Sequence, residues 1–283
     1  MQRENVESLL RDPKRFRARV FRRLRGGEQP LLERMRVVRE APEGEGQFAA
    51  SAVLVPLEFR REGPEYAIVL NKRSENVQQP GDLCCPGGRL DFGRDRFFSR
   101  LMAWRTAFFS LATGILHGWR PHRRSEKGAV RLVLAGALRE SWEEMGLAPW
   151  KVKYLGVLPP QQIQNRPRII FPVVGEIRGR WRERPNREVG KILRLPVRAF
   201  FDPDRYVLFR LNLPEPVRSK CGVDRWEVPG LSVLDNDGEE EILWGATFRI
   251  LLTFLERTLD LSLTGIHPKR TVERDLPEDY YRH

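Results

Sequence analysis

The chain has 283 residues and a mass of 33.0 kDa, room for one large domain or two small ones. Hydrophobic residues at 41% and charged residues at 31% support a packed core and exclude global disorder. Three cysteines, Cys84, Cys85 and Cys221, are too few for a disulfide scaffold, and the absence of a CxxC pair excludes a zinc ribbon or a thioredoxin-like motif.

In chain order, residues 1–27 are basic but lack the apolar run of a secretory signal. Residues 5–40 read as helix, with Val6, Leu9, Leu10, Phe16, Val20, Phe21 and Leu24 at helical spacing. A polar Pro/Gly linker follows over 40–47, then strands over 51–59 and 65–71. Residues 81–90 form a turn-rich loop containing Cys85-Pro86-Gly87-Gly88. The apolar run 97–116, interrupted by Arg100 and Arg105, predicts a helix, and 118–128 a basic loop. A second helix spans 129–146, with Gly146 as its stop. Strand signals resume at 152–158, 168–177, 191–196, 206–211 and 232–234, and residues 242–261 read as an apolar-rich helix. From residue 264 the tail is polar and is expected to be ordered only in part. No stretch of 18 residues is free of charge, so no spanning helix is expected, and the thiols fit a reducing, cytoplasmic setting.

The net charge of +12 is unevenly placed. Residues 1–40 carry twelve Lys/Arg against six Asp/Glu, residues 96–130 carry seven against one, and the rest of the chain is neutral. Both segments read as additions to a neutral domain. They are either solvated faces or contacts for phosphates, RNA or an acidic membrane surface.

The chemistry concentrates in Arg139-Glu140-Ser141-Trp142-Glu143-Glu144-Met145-Gly146. Helical spacing puts Glu140, Glu143 and Glu144 on one face. Three carboxylates so placed repel one another, and hard divalent cations such as Mg²⁺ or Mn²⁺ offset that repulsion. Arg139 is placed to brace a carboxylate as a forked donor. The bland alternative is an exposed acidic helix face.

The pattern RExxEExG, after a strand, a turn and Pro-Gly-Gly, resembles the signature of the Nudix hydrolases. Five fixed residues recur by chance in a chain this long at roughly one in ten thousand. The resemblance departs from the family pattern in three places. Gly88 stands as the leading glycine, but Arg94 occupies the place of the outer glutamate, with Asp95 one position further on. More than forty residues separate that acid from Arg139, so an insertion over 96–130 splits the signature, and Ser141 replaces an aliphatic residue. Arg73-Ser74, Gly81 and Pro86-Gly87-Gly88 look like the added motif of the coenzyme A diphosphatase branch, with Gln78 near its second arginine and Cys85 in place of its phenylalanine. Segments 160–174, 185–189 and 243–247 also look like that branch.

The resemblance implies an α/β (α+β) fold, a Nudix-type mixed sheet sandwiched between helices. The organisation expected is a basic helical extension over 1–46, a Nudix domain over 47–262 interrupted by 96–130, and a polar tail over 263–283. It implies metal-assisted hydrolysis of a diphosphate within a nucleoside diphosphate, most readily coenzyme A or an acyl derivative, giving phosphopantetheine and adenosine 3′,5′-bisphosphate. Glu140, Glu143 and Glu144 become metal ligands, with the Gly87 carbonyl completing the shell. Glu188, or one of the helix glutamates such as Glu143 or Glu144, becomes the general base. Arg73 takes a substrate phosphate, since guanidinium matches phosphate oxygens, beside Gly88, while Arg139 and Gly146 support the site.

Other readings stand beside this one. The substrate is alternatively ADP-ribose or a capped RNA end, and the fold alternatively a non-catalytic binding or regulatory module. The apolar stripe of 97–116 is a packed helix, a dimer contact, a flap over the site or a membrane-surface element. Asn165 and Arg166 are a weaker substrate-loop candidate, and His117 and His122 read as part of the basic loop.

Overall fold

The structure is a computed structural model that describes residues 3–25, 31–40, 49–100, 124–163, 168–235, 237–261, 267–278 and 280. Helices α1 (Arg3–Arg11), α2 (Pro13–Arg25) and α3 (Leu31–Glu40) precede strands β1 (Ala49–Arg60), β2 (Glu65–Arg73), β3 (Leu83–Cys84) and β4 (Gly87–Arg89). Helical residues 92–100 (α4) and helix α5 (Arg124–Met145) lead to β5 (Val152–Val157), β6 (Gln161–Gln162), β7 (Arg168–Ile177) and β8 (Val189–Pro196). Strand β9 (Tyr206–Asn212), helix α6 (Glu215–Cys221), β10 (Arg225–Leu234), β11 (Glu240–Trp244), helix α7 (Gly245–Leu259) and β12 (Arg270–Asp275) complete the order. The chain is thus a mixed α+β protein.

Two units emerge from the backbone packing. One comprises Met1–Phe16, Phe59–Cys84 and Pro185–His283, and the other Arg17–Glu58 and Cys85–Arg184. In the second unit β1 runs parallel to β7, from Ala49↔Arg168 to Leu57↔Glu176, and antiparallel to β4 through Ala52↔Gly88 and Val53↔Gly87. Strands β5 and β6 add antiparallel to β7. Both β1 and β7 are near-continuous apolar runs because both of their faces are covered. Helices α3 and α5 supply cover within this unit, burying Met35, Val38, Val133, Ala137, Leu138 and Met145.

In the first unit β2 pairs antiparallel with β3 and β8. A separate four-stranded sheet runs in the order β11-β10-β9-β12, with α7 packed on β10 and β11. Its core holds Val207, Phe209, Leu211, Leu213, Ile242, Leu276 and Tyr280.

Several expectations change at element ends. The single helix expected over 5–40 is interrupted at Asp12, whose carboxylate accepts the N–H groups of Lys14 and Arg15, both at 3.0 Å, while Pro13 opens the next helix. Helix α4 starts at residue 92, not 97, because Asp91 caps it by accepting from Gly93 and Arg94, both at 2.9 Å. The start of the helix expected over 242–261 is strand β11 up to Trp244, since Ile242 and Leu243 pair with Ser232 and Leu231. The polar tail contains β12, which pairs parallel with β9. Of the linker expected over 40–47, Glu40 ends α3; residues 41–48, residues 101–123 with His117 and His122, and Asn165 and Arg166 lie outside the described residues.

Candidate active site

Helix α5 buries one face through Val130, Val133, Ala137, Leu138 and Met145. Ser141, at the place of an aliphatic residue, is fully buried, and its hydroxyl donates to the Ala137 carbonyl at 2.6 Å. That bond to the preceding turn satisfies the hydroxyl without another partner. The helix stops at Gly146, with φ of +76°, whose N–H donates to the Trp142 carbonyl at 3.0 Å.

The face carrying Glu140 and Glu144 meets the short strand β4. The Gly87 N–H donates to Glu144 Oε2 at 3.2 Å. A Cβ on Gly88 would stand 2.6–2.7 Å from the carboxyl atoms of Glu140, so that carboxyl occupies the space a side chain would fill. The Gly87-Gly88 backbone is therefore gripped by two carboxylates one helical turn apart. Glu143 is the most exposed of the three, with its side chain 48% accessible against 17% for Glu140.

Arg139 ties the cluster together. Its Nε donates to Asp95 Oδ1 at 2.7 Å, and its two terminal nitrogens reach Glu143 Oε2 and Glu140 Oε1, both at 2.9 Å. Burial works against the guanidinium charge, but Asp95, Glu140 and Glu143 outweigh it and hold the pKa well above the ordinary arginine value. The Glu140 carboxyl is pushed up first by burial and further by Glu143 and Asp95, with Arg139 opposing.

Asp95 stands one position past the place of the signature's outer acid. It is fully buried, pairs with Arg139 and accepts the Asp91 N–H at 2.9 Å. In this arrangement it orients Arg139 from the first turns of α4.

The donor set, carboxylate oxygens beside a glycine carbonyl, fits a hard divalent cation by its chemistry. As the side chains stand, no three His, Cys, Asp or Glu among the described residues form a metal-binding group. The reason lies in the pairing: Arg139 holds Glu140 and Glu143, and the Gly87 amide holds Glu144.

Arg73 and Glu188 belong to the other unit, where they are brought together. Arg73 pairs with Val189 across β2 and β8, and the Ser74 N–H donates to the Glu188 carbonyl at 2.9 Å. Arg73 Nε donates to the Gln78 carbonyl at 2.6 Å, which fixes the guanidinium on the 74–82 loop. Glu188 is exposed, and its N–H donates to Asn186 Oδ1 at 2.9 Å.

Sequence reasoning missed Asp82 in that same loop. It is paired with Tyr280 and Trp244 across 198 and 162 residues of chain, and no local pattern signals such a contact.

No family model matches the chain. It is 27% identical over 156 residues to the peroxisomal coenzyme A diphosphatase NUDT7 of Mus musculus, covering 55% of this chain and 50% of that protein. It is 38% identical over 77 residues to the uncharacterized Nudix hydrolase NudL of Pectobacterium atrosepticum, covering 27% of this chain and 40% of that protein. The chain thus spans half or less of the length of these curated relatives. Among solved structures, a MutT/nudix family protein from Enterococcus faecalis matches over 83% of this chain and 71% of its own, at 12% identity and a TM-score of 0.41. The RExxEExG helix set against its Gly-Gly strand thus accompanies a likeness to two curated Nudix proteins.

Proposed function

We propose that the chain is a divalent-cation-dependent hydrolase of a diphosphate linkage in a nucleoside diphosphate derivative, with coenzyme A or an acyl-coenzyme A as substrate. The observation that carries the reading is the grip of Glu140 and Glu144 on the Gly87-Gly88 backbone, which gathers hard oxygen donors at one end of α5. Glu140, Glu143, Glu144 and the Gly87 carbonyl would hold Mg²⁺ or Mn²⁺. When bound, such a cation neutralises diphosphate charge and lowers the pKa of water.

The chain's own residues have separate tasks in this proposal. Arg139 keeps Glu140 and Glu143 oriented through its ion pairs, and Asp95 keeps Arg139 in place. Glu143, the most exposed of the three glutamates, or Glu188 accepts the proton of the attacking water. Arg73 offers its guanidinium to a substrate phosphate. The coenzyme A substrate is supported by the Arg73-Ser74, Gly81 and Pro-Gly-Gly residues and by the likeness to a relative whose name is coenzyme A diphosphatase.

A second reading, a nucleotide-binding module without turnover, is favoured by the ion pairs that engage Glu140 and Glu143 with Arg139. Turnover of coenzyme A, acetyl- and long-chain acyl-coenzyme A, ADP-ribose and capped RNA with Mg²⁺ or Mn²⁺ separates the two. Cleavage of coenzyme A species by wild type, lost in a folded Glu144→Gln variant, is the expected result. Preference for ADP-ribose or capped RNA rejects the substrate but keeps the chemistry. Binding with no cleavage of any substrate favours the module.

A further inference from the structure

Residues 178–184, Arg-Gly-Arg-Trp-Arg-Glu-Arg, carry four arginines and one glutamate. The strap is pinned at three points. The Arg178 N–H donates to the Lys151 carbonyl at 2.6 Å, the Trp181 indole donates to Glu58 at 2.8 Å, and the Arg184 N–H donates to the Met145 carbonyl at 2.9 Å. Trp181 is half-buried while Arg180, Arg182 and Arg184 are exposed. A Cβ on Gly146 would lie 2.8 Å from the Arg184 Cβ, so the strap rests directly on the end of α5.

At that same helix end stand two exposed indoles. Trp142, one turn before Gly146, is 46% accessible and Trp150 is 50% accessible, and their rings meet edge to face with centroids 5.9 Å apart. Trp150 immediately precedes Lys151, the strap's first anchor. Leaving two indoles half in water forgoes their burial free energy. Lys153 nearby is held below its ordinary pKa first by burial and then by Arg17 and Arg178, with Glu176 opposing.

From this juxtaposition we infer that the Trp142–Trp150 face and the arginines of 178–184 bind single-stranded nucleic acid. Exposed aromatic faces accept bases of any sequence, and arginines fixed beside them meet the backbone phosphates. An anionic membrane is the poorer fit, because an interfacial surface also needs exposed aliphatic side chains. Among the described residues of this unit, the other exposed large hydrophobics are only Val37 and Phe97. The inference does not depend on hydrolysis.

The test is fluorescence anisotropy of labelled single-stranded RNA and DNA of about a dozen nucleotides, titrated with the full chain. It is run at about 50 and about 200 mM salt, beside a duplex of equal length and anionic phospholipid vesicles. The expected result is single-strand binding that weakens about tenfold or more with salt. Trp142→Ala/Trp150→Ala weakens it by about tenfold or more, while Trp142→Tyr/Trp150→Tyr retains it because tyrosine also stacks. Arg180→Ser/Arg182→Ser flattens the salt dependence, and thermal melting checks the fold of every variant. No binding at low salt, binding unchanged in the alanine pair, equal loss in the tyrosine pair, or tryptophan-dependent capture of vesicles without oligonucleotide overturns the inference.

Discussion

The Tyr280 hydroxyl donates a hydrogen bond to the carboxylate of Asp82, whose other oxygen accepts from the Trp244 indole at 3.1 Å. Burial still dominates the carboxyl and raises its pKa from 3.8 to about 6, with Tyr280, Trp244, Arg274 and Arg73 pulling the other way. Because the folded value exceeds the unfolded one, the native state binds the extra proton. This group therefore favours folding most below about pH 4 and progressively less as pH rises toward 6. Asp82→Asn keeps an acceptor for Trp244 without the buried charge. Urea unfolding across pH 4 to 8 should find the variant more stable than wild type at neutral pH, by at most about 3 kcal/mol. The difference should vanish at the acid end, and a pH-independent difference would reject the assignment.

Tyr280 is 1% accessible and packs among Val207, Phe209, Leu211, Leu213, Ile242 and Leu276. Its carbonyl accepts the Gln79 N–H at 3.0 Å, so the turn at Tyr280 holds the loop that follows Arg73. Tyr280→Ala should cost about 3–5 kcal/mol, as for other buried aromatic truncations. Amide exchange should quicken at Gln79, Gly81 and Asp82 before it does in β9. Unchanged exchange in that loop would show that the tail does not restrain it.

Local pattern made much of this molecule readable. Local pattern placed β1, β2, β5, β7, β9 and α5 to within about five residues, the strands as short apolar or alternating runs and the helix by its repeat. Carboxylates at i, i+3 and i+4 predicted that Glu140 and Glu144 share a face, and β4 lies against that face. What escaped prediction was set at long range. Strand β12 reads as polar tail because its exposed residues leave only Val272 and Arg274 half-buried, and its partner β9 lies about sixty residues away. The role of Asp95, one position past the outer acid's place, was not legible because its partner, Arg139, is 44 residues on. Trp244 sat in an apolar run that suits a helix as well as a strand, and pairing with β10 decided it.

The Asp95–Arg139 pair gives a stability prediction. Asp95 is fully buried, and Arg139 is 9% accessible. Removing one partner of a buried pair leaves the other charge uncompensated, which costs about 3–5 kcal/mol. Asp95→Ala should lose about that much in chemical denaturation, whereas Glu143→Ala should lose under about 1 kcal/mol because Glu143 is half exposed. Similar losses for the two would mean that Asp95 is not the group that fixes Arg139.

Gly87 and Gly88 are adjacent and should fail in different ways. A Cβ on Gly87 would lie 2.3 Å from the Ala52 carbonyl oxygen and 2.5 Å from the Val53 Cα, at a φ of +155°. Both obstacles are backbone atoms of β1, paired in register with β4, so they cannot swing aside. Gly87→Ala should therefore lose about 3 kcal/mol or more through strain and overpacking. The three atoms nearest a Cβ on Gly88 are all the carboxyl end of Glu140, a flexible side chain that rotates away at a cost of about 1 kcal/mol. Gly88→Ala should melt close to wild type yet lose most cation-dependent turnover, because Glu140 no longer lies beside the glycine strand. Thermal melts beside the coenzyme A assay read both effects. Full activity in a folded Gly88→Ala chain would remove Glu140 from the proposed ligand set.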